Sequence, residues 1–126
     1  MRNKKISISD SELEVLRELW ENTSLTARQL TDKVTARTEW SEPTVKTLLL
    51  RLLQKNAVER KREGKVFVYR ALVDKEEYRF LAGKTLLDRF FNGITGDFLT
   101  CLVKNNSISP EEIEELKKLL DDAGKK

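Results

Sequence analysis

The 126-residue sequence contains no histidine, one cysteine, two prolines and five glycines. Without histidine, the commonest zinc and haem ligand and the side chain best suited to acid–base work near neutral pH are missing. Cys101 alone cannot close an internal disulfide. No glycine-rich phosphate loop is present, and no apolar run approaches the roughly 20 residues that a membrane span needs. The basic start, MRNKKISIS, has no apolar stretch behind it to act as a secretory signal. These absences lead us to expect a cytoplasmic protein with no catalytic residues, no cofactor, no metal and no membrane. Carboxylates and lysines on charged helices are the only acid–base material left, and solvation accounts for them.

What the chain does have is charge: 36% of its residues are ionised types and 39% are hydrophobic. The net charge is +3, unevenly spread, with +5 in residues 1–72 and −2 in 73–126. Between Thr44 and Arg70 eight basic residues meet two acidic ones. A local excess of that size attracts phosphate backbones.

Helix signals recur along the chain. Ser9 with Glu12 forms a capping-box pattern ahead of Leu13, Val15, Leu16, Leu19 and Trp20. After the break NTSL, Thr26 with Gln29 repeats it before a second helix from Ala27 to about Arg37, with Ala27, Leu30 and Val34 inward. Ser41 is the third N-cap, Pro43 lies in the first turn, and that helix runs to Asn56, a left-handed cap. AVERKR and VFVYRAL around EGK read as a basic hairpin. Asp74 with Glu77 caps a fourth helix, the apolar segment DFLTCLV follows, and Ser109, Pro110 and Glu112 open a last one.

In the stretch EWSEPTVKTLLLRLLQK, Val45, Leu48, Leu49, Leu52 and Leu53 share one arc of a helix. Thr47, Leu50, Arg51 and Gln54 fall opposite, with Thr44 and Lys46 on the flanks. Alone, that polar face is what any solvated helix shows. Two capped helices, a third bearing this face and then a basic hairpin are, however, the order of a winged helix-turn-helix, whose second paired helix enters the DNA major groove. The expected fold is therefore mainly α with a small β-hairpin wing. The candidate DNA-binding residues are Ser41, Thr44, Lys46, Thr47, Leu50 and Arg51 on the helix, with Arg60, Lys61, Arg62 and Lys65 on the wing. Leu50 is the apolar member of that face, and a thymine methyl is the partner expected for it.

The other singled-out residues have plainer readings. Trp20 and Trp40 adjoin apolar stripes and read as packing residues. Cys101, between Leu99 and Leu102, reads as a buried small hydrophobe. Glu114 or Glu115 with Lys118 suits pairing on a solvated helix face. The three C-terminal helices carry more apolar surface than about 50 residues bury alone, which implies dimerisation. Tyr78, Leu81, Leu86, Phe90, Phe91, Phe98, Leu102, Ile113, Leu116 and Leu120 are the candidate dimerisation residues. Residues 1–72 are expected to form a winged-helix DNA-binding domain and 73–126 a helical dimerisation domain. A winged-helix module that docks an acidic protein in place of DNA would use the same charges.

ISISDSELEVLRELW, WSEPTVKTLLLRLLQKNAV, EGKVFVYRALV and SPEEIEELKKLL resemble the penicillinase repressor family of transcription factors, the BlaI/MecI/CopY group, along nearly the whole chain. The resemblance implies a homodimeric transcriptional repressor on a palindromic double-stranded DNA operator, controlling beta-lactam resistance or copper-handling genes. For the beta-lactam branch it also implies a sensor protease as partner, with cleavage in the dimer region at a position corresponding to Asp97 and Phe98, where this chain has Asp and the family pattern has Asn. The copper branch carries C-x-C pairs near the C-terminus. This chain ends DDAGKK with Cys101 alone.

Overall fold

The computed structural model describes residues 7–124. In the first helix, α1 (Asp10–Glu21), Ser9 Oγ accepts from the Glu12 N–H at 3.1 Å and Glu12 Oε1 accepts from the Ser9 N–H at 3.0 Å. The capping box read from the sequence is thus formed, and two otherwise orphaned donors are satisfied. Thr26 and Gln29 make the same exchange at the start of α2 (Ala27–Arg37). The third helix, α3 (Glu42–Gln54), ends as the sequence suggests: Asn56 has φ +64°, its N–H donates to Leu53 O at 3.1 Å, and the Ala57 N–H donates to Leu52 O at 3.0 Å. That pair of bonds is a Schellman motif, with asparagine where glycine is commoner.

At the other end of α3 the sequence reading needs correction. Ser41 has the extended backbone of an N-cap, but its hydroxyl makes no bond to a helix N–H. It lies 3.2 Å from the Thr44 hydroxyl instead. The cause is local: Pro43 has no N–H to offer, and the Ser41 hydroxyl is engaged with that of Thr44.

A second correction concerns the link NTSL. Leu25–Thr26 is a two-residue strand, β1, which pairs antiparallel with β3 (Val66–Ala71), setting Leu25 opposite Tyr69 and Thr26 opposite Val68. With β2 (Val58–Glu63) on the other side of β3, the sheet order is β1-β3-β2. The hairpin turn is Gly64-Lys65, and Gly64 alone has positive φ there, +66°, the mark of a type II′ turn.

Helices α1, α2 and α3 and the sheet share one core. Val15, Leu16 and Leu19 come from α1, Leu30 and Val34 from α2, Val45, Leu48, Leu49 and Leu52 from α3, and Leu25, Ala57, Val58 and Tyr69 from the sheet region. Trp20 and Trp40 pack partly buried against it, as read, and the Trp20 indole N–H donates to Val73 O at 2.8 Å. This is a winged helix: three helices and a small antiparallel sheet whose hairpin extends beyond the core.

Two ion-pair clamps fix the helices. Arg37, the last residue of α2, donates to Glu18 Oε2 at 2.7 Å, to Glu14 O at 2.9 Å and to the Glu14 carboxylate. The Arg37 hydrogen bond holds the Glu14 carboxyl below the usual carboxylate range, and its two partners raise the guanidinium's own pKa. Lys55, at the end of α3, donates to Ser7 O at 2.5 Å and to the carboxylate of Glu12, whose side chain is 3% exposed. Burial pushes the Glu12 carboxyl up, but hydrogen bonds from Lys55 and the Ser9 N–H, with the ammonium charge, outweigh it and lower the pKa.

The chain divides into two compact units, the first ending at Tyr78 and the second beginning at Arg79. Helix α4 (Lys75–Phe91) starts in the first unit, capped by Asp74, whose carboxylate accepts from the Glu77 N–H at 2.9 Å. In the second unit, α5 (Thr95–Lys104) and α6 (Pro110–Gly124) follow, and the Ser109–Glu112 capping box is formed. Phe91 and Phe98 meet with centroids 5.2 Å apart. None of α4, α5 or α6 has a buried residue. Cys101, read as buried, is exposed: α5 turns Phe98, Leu99 and Leu102 inward and leaves residue 101 outside that arc. On α6 Glu114 lies 3.9 Å from Lys117, and not from Lys118. No helix among the described residues is long and apolar enough to cross a membrane.

Because the folded-state pKa of Glu12 lies below its ordinary 4.5, its contribution to stability is complete above that value and is lost as pH falls through the lowered one. Glu12→Gln is expected to lower the unfolding free energy at neutral pH by about 2 kcal/mol, since it leaves Lys55 facing a neutral amide. It should also flatten the acid side of the stability profile. Urea melts of the two proteins test this, and identical melts at neutral pH would refute it.

Candidate nucleic-acid interface

The core that buries Val45, Leu48, Leu49 and Leu52 leaves Pro43, Thr44, Lys46, Thr47, Leu50, Arg51 and Gln54 of α3 exposed. At about 100° per residue, the centre of that outward face falls on Thr47, Leu50 and Gln54, with Arg51 and Thr44 to one side and Lys46 to the other. Leu50 keeps 54% of its surface in water although the helix has a core to face. The outward face therefore offers hydroxyls, an amide, a guanidinium and one apolar contact. These are the groups that address phosphates, base edges and a thymine methyl.

The hairpin has two unlike faces. Cross-strand partners share a face, and the register pairs Arg60 with Tyr69 and Arg62 with Phe67, but Glu59 with Arg70, Lys61 with Val68 and Glu63 with Val66. One face thus carries Arg60 and Arg62 with no acid. On the other, Glu59, Lys61, Glu63 and Arg70 sum to zero, and Arg70 is ion-paired to Glu59. Lys65 sits in the turn. The sequence grouped Arg60, Lys61, Arg62 and Lys65 as one basic set. The register brings only the two arginines together.

Ion pairing divides the basic side chains further. In the first unit Arg17, Arg28, Arg37, Lys46, Lys55 and Arg70 are each ion-paired to a carboxylate. For Arg51, Arg60, Lys61, Arg62 and Lys65 on α3 and the hairpin, and for Lys33 on α2 and Lys75 on α4, no such pair is formed among the described residues. Lys46 is the member of the reading face that is already engaged, at 3.6 Å from Glu42. Charges left without a local partner are the ones available to an external anion.

Sequence reasoning did not single out Phe67. It was read as a strand former, yet it is 37% exposed and both Arg60 and Arg62 stand over its ring. Period-2 alternation through the hairpin, once the two-residue turn is fixed, was the signal that could have found it.

Of the candidate dimerisation residues, Leu81, Leu86, Phe90 and Leu120 are exposed, whereas Phe91, Phe98, Leu102, Ile113 and Leu116 are half-buried. Tyr78 belongs to the first unit, where its ring lies 5.9 Å from that of Trp20. Phe80 and Leu119, at 65% and 64% exposure, join the uncovered set. Asp97 is exposed in the first turn of α5 and Phe98 is half-buried against Phe91.

Comparison with known proteins adds three findings. The sequence model of the family described as Penicillinase repressor matches residues 8–122. The penicillinase repressor of Bacillus licheniformis is 36% identical over 120 residues, 94% of each chain, and the methicillin resistance regulatory protein MecI of Mammaliicoccus sciuri is 29% identical over 96% of this chain and 98% of its own. Among solved structures, the monomeric form of Bacillus licheniformis BlaI in complex with the blaP half-operator aligns with a TM-score of 0.54 and 39% identity, over 59% of this chain and 92% of that one.

The unequal hairpin faces have a measurable consequence for any polyanion. On immobilised heparin, Arg60→Ala/Arg62→Ala is expected to lower the salt concentration of elution clearly, and Lys61→Ala only slightly. A larger fall for Lys61→Ala would show that the acid-lined face is the one presented.

Proposed function

The chain belongs to the penicillinase repressor family, and we propose that it is a cytoplasmic, homodimeric, sequence-specific DNA-binding repressor of a beta-lactam resistance operon, and not an enzyme. The observation that carries this reading is the group of exposed cations without a carboxylate partner on α3 and the hairpin, Arg51 with Arg60, Arg62 and Lys65. Helix α3 enters the major groove, with Thr44, Thr47 and Arg51 toward the bases and Ser41 and Lys46 toward the backbone. Arg51 is the residue with the geometry to grip a guanine by two hydrogen bonds. Leu50 meets a thymine methyl. Lys61, on the neutral face, has the weakest claim of the wing residues.

Support for the dimer comes from the second unit, whose helices have no fully buried residue and leave Phe90 67% and Leu120 63% exposed. Two copies related by a two-fold axis read a palindrome, with half-sites about one or more turns of roughly 34 Å apart. A relative's monomer on a half-operator fits that division of labour. Residues 1–72 then serve as the DNA-binding domain and 73–126 as the dimerisation domain.

For release, a sensor protease would cut between Asp97 and Phe98. The start of α5 favours this: its N-cap, Ile94, provides no side-chain hydrogen bond, and Gly96 lies beside the bond to be cut. A poorly capped first turn with glycine opens more readily to the extended form that a protease binds. An acidic protein in place of DNA would meet the same cations but would give no sequence preference among duplexes.

Duplexes tiled upstream of the protein's own gene provide the test, by fluorescence anisotropy. One fragment is expected to bind with an affinity that falls steeply with salt. Arg51→Ala should weaken that fragment by about 1–3 kcal/mol while affecting random duplex far less. Phe90→Glu should sediment as a monomer and lose most operator affinity. Salt-independent binding, or an intact Phe90→Glu dimer, would contradict the corresponding part.

A further inference from the structure

The acid-free face of the hairpin is more than a pair of charges. Arg60 Cζ lies 4.4 Å and Arg62 Cζ 5.5 Å from the centroid of the Phe67 ring. At the root of the same face Tyr69, opposite Arg60, is buried in the core, so the ring and both guanidiniums project from an anchored strand. Arg62 Nε also donates to Gly64 O, in the turn, at 3.3 Å. A contact to phosphate needs only a positive charge, which a mobile lysine supplies. Two planar, weakly hydrated guanidiniums stacked on one ring have already lost much of the rotamer freedom that binding would cost. Such a group fits a narrow, strongly negative cleft, and in duplex DNA that cleft is the minor groove of A·T-rich sequence.

We propose that Arg60 and Arg62, seated on Phe67, enter the minor groove beside the half-site read by α3 and make the protein prefer A·T base pairs there. The proposal rests on the DNA-binding reading above and adds specificity-determining residues to it. Guanine's 2-amino group is the feature that would obstruct them, because it is the one donor that a G·C pair adds to the minor groove. Leu50 and Arg51 would read the core of the half-site independently.

Selection of bound duplexes from a random 40-base-pair pool, run with the wild type and with Arg60→Lys/Arg62→Lys, separates the layers. The wild-type pool is expected to show a palindromic core flanked by A·T enrichment. The double lysine variant keeps the charge and should yield the same core with unenriched flanks, and Phe67→Leu should do likewise. Resynthesising the selected duplex with G·C flanks should weaken wild-type binding about tenfold. Inosine·cytosine flanks, which present the major groove of G·C without the 2-amino group, should restore it. A core with random flanks in the wild-type pool would overturn the proposal, as would A·T enrichment retained by the lysine variant or inosine flanks that behave as G·C. Absence of any core from the wild-type pool would overturn the DNA-binding reading itself.

Discussion

Burial of Val45, Leu48, Leu49 and Leu52 against α1, α2 and the sheet sets the position of α3, and with it everything the first unit presents to its surroundings. Each of these side chains contributes on the order of 2 kcal/mol by leaving water, enough together to fix the rotation of the helix about its axis. Once that rotation is fixed, the placement of Thr47, Leu50 and Arg51 follows without further choice. The clamps at the two ends serve the same constraint. Lys55 ties the last turn of α3 to Glu12 and Ser7, and Arg37 ties the end of α2 to α1 just before the turn into α3.

Those clamps also explain a division among the basic residues. An arginine that holds two helices together is engaged and partly desolvated, so it adds little to the outside field. One that is left without a carboxylate keeps its full charge for an incoming anion. The first unit uses Arg37 and Lys55 in the former way and Arg51, Arg60 and Arg62 in the latter. The local excess between Thr44 and Arg70 is therefore a mixture of structural and available charge, and only pairing in the fold tells them apart.

Much of this was legible in the sequence because the signals were local. Capping boxes at Ser9, Thr26 and Ser109 need only three residues of context, and the Schellman end at Asn56 only a few more. The outward set on α3 followed from helical period alone. What was not legible depended on partners distant in the chain. The strand at Leu25–Thr26 is too short to have a period and exists because β3 lies beside it. Ser41 looked like its two predecessors, but a neighbouring proline and threonine changed what its hydroxyl could reach. Cys101 sat among apolar residues in sequence and outside their arc in space. The hairpin's basic run concealed an alternation that only the register of β2 on β3 makes visible.

The second unit raises a different constraint, since its three helices bury no residue fully and gain little from apolar burial within one copy. On the dimer reading this incompleteness is functional. A winged helix engaging one half-site must supply the whole entropy of association from a single reading helix and wing. Two joined copies incur that cost once, and the second half-site is then bound at the effective concentration set by the dimer. On that reading the apolar surface of α4, α5 and α6 matters to operator affinity along with the contacts to DNA. The cleavage proposed after Asp97 would, on the same reading, leave α3 unchanged while separating most of α5 and all of α6 from α4.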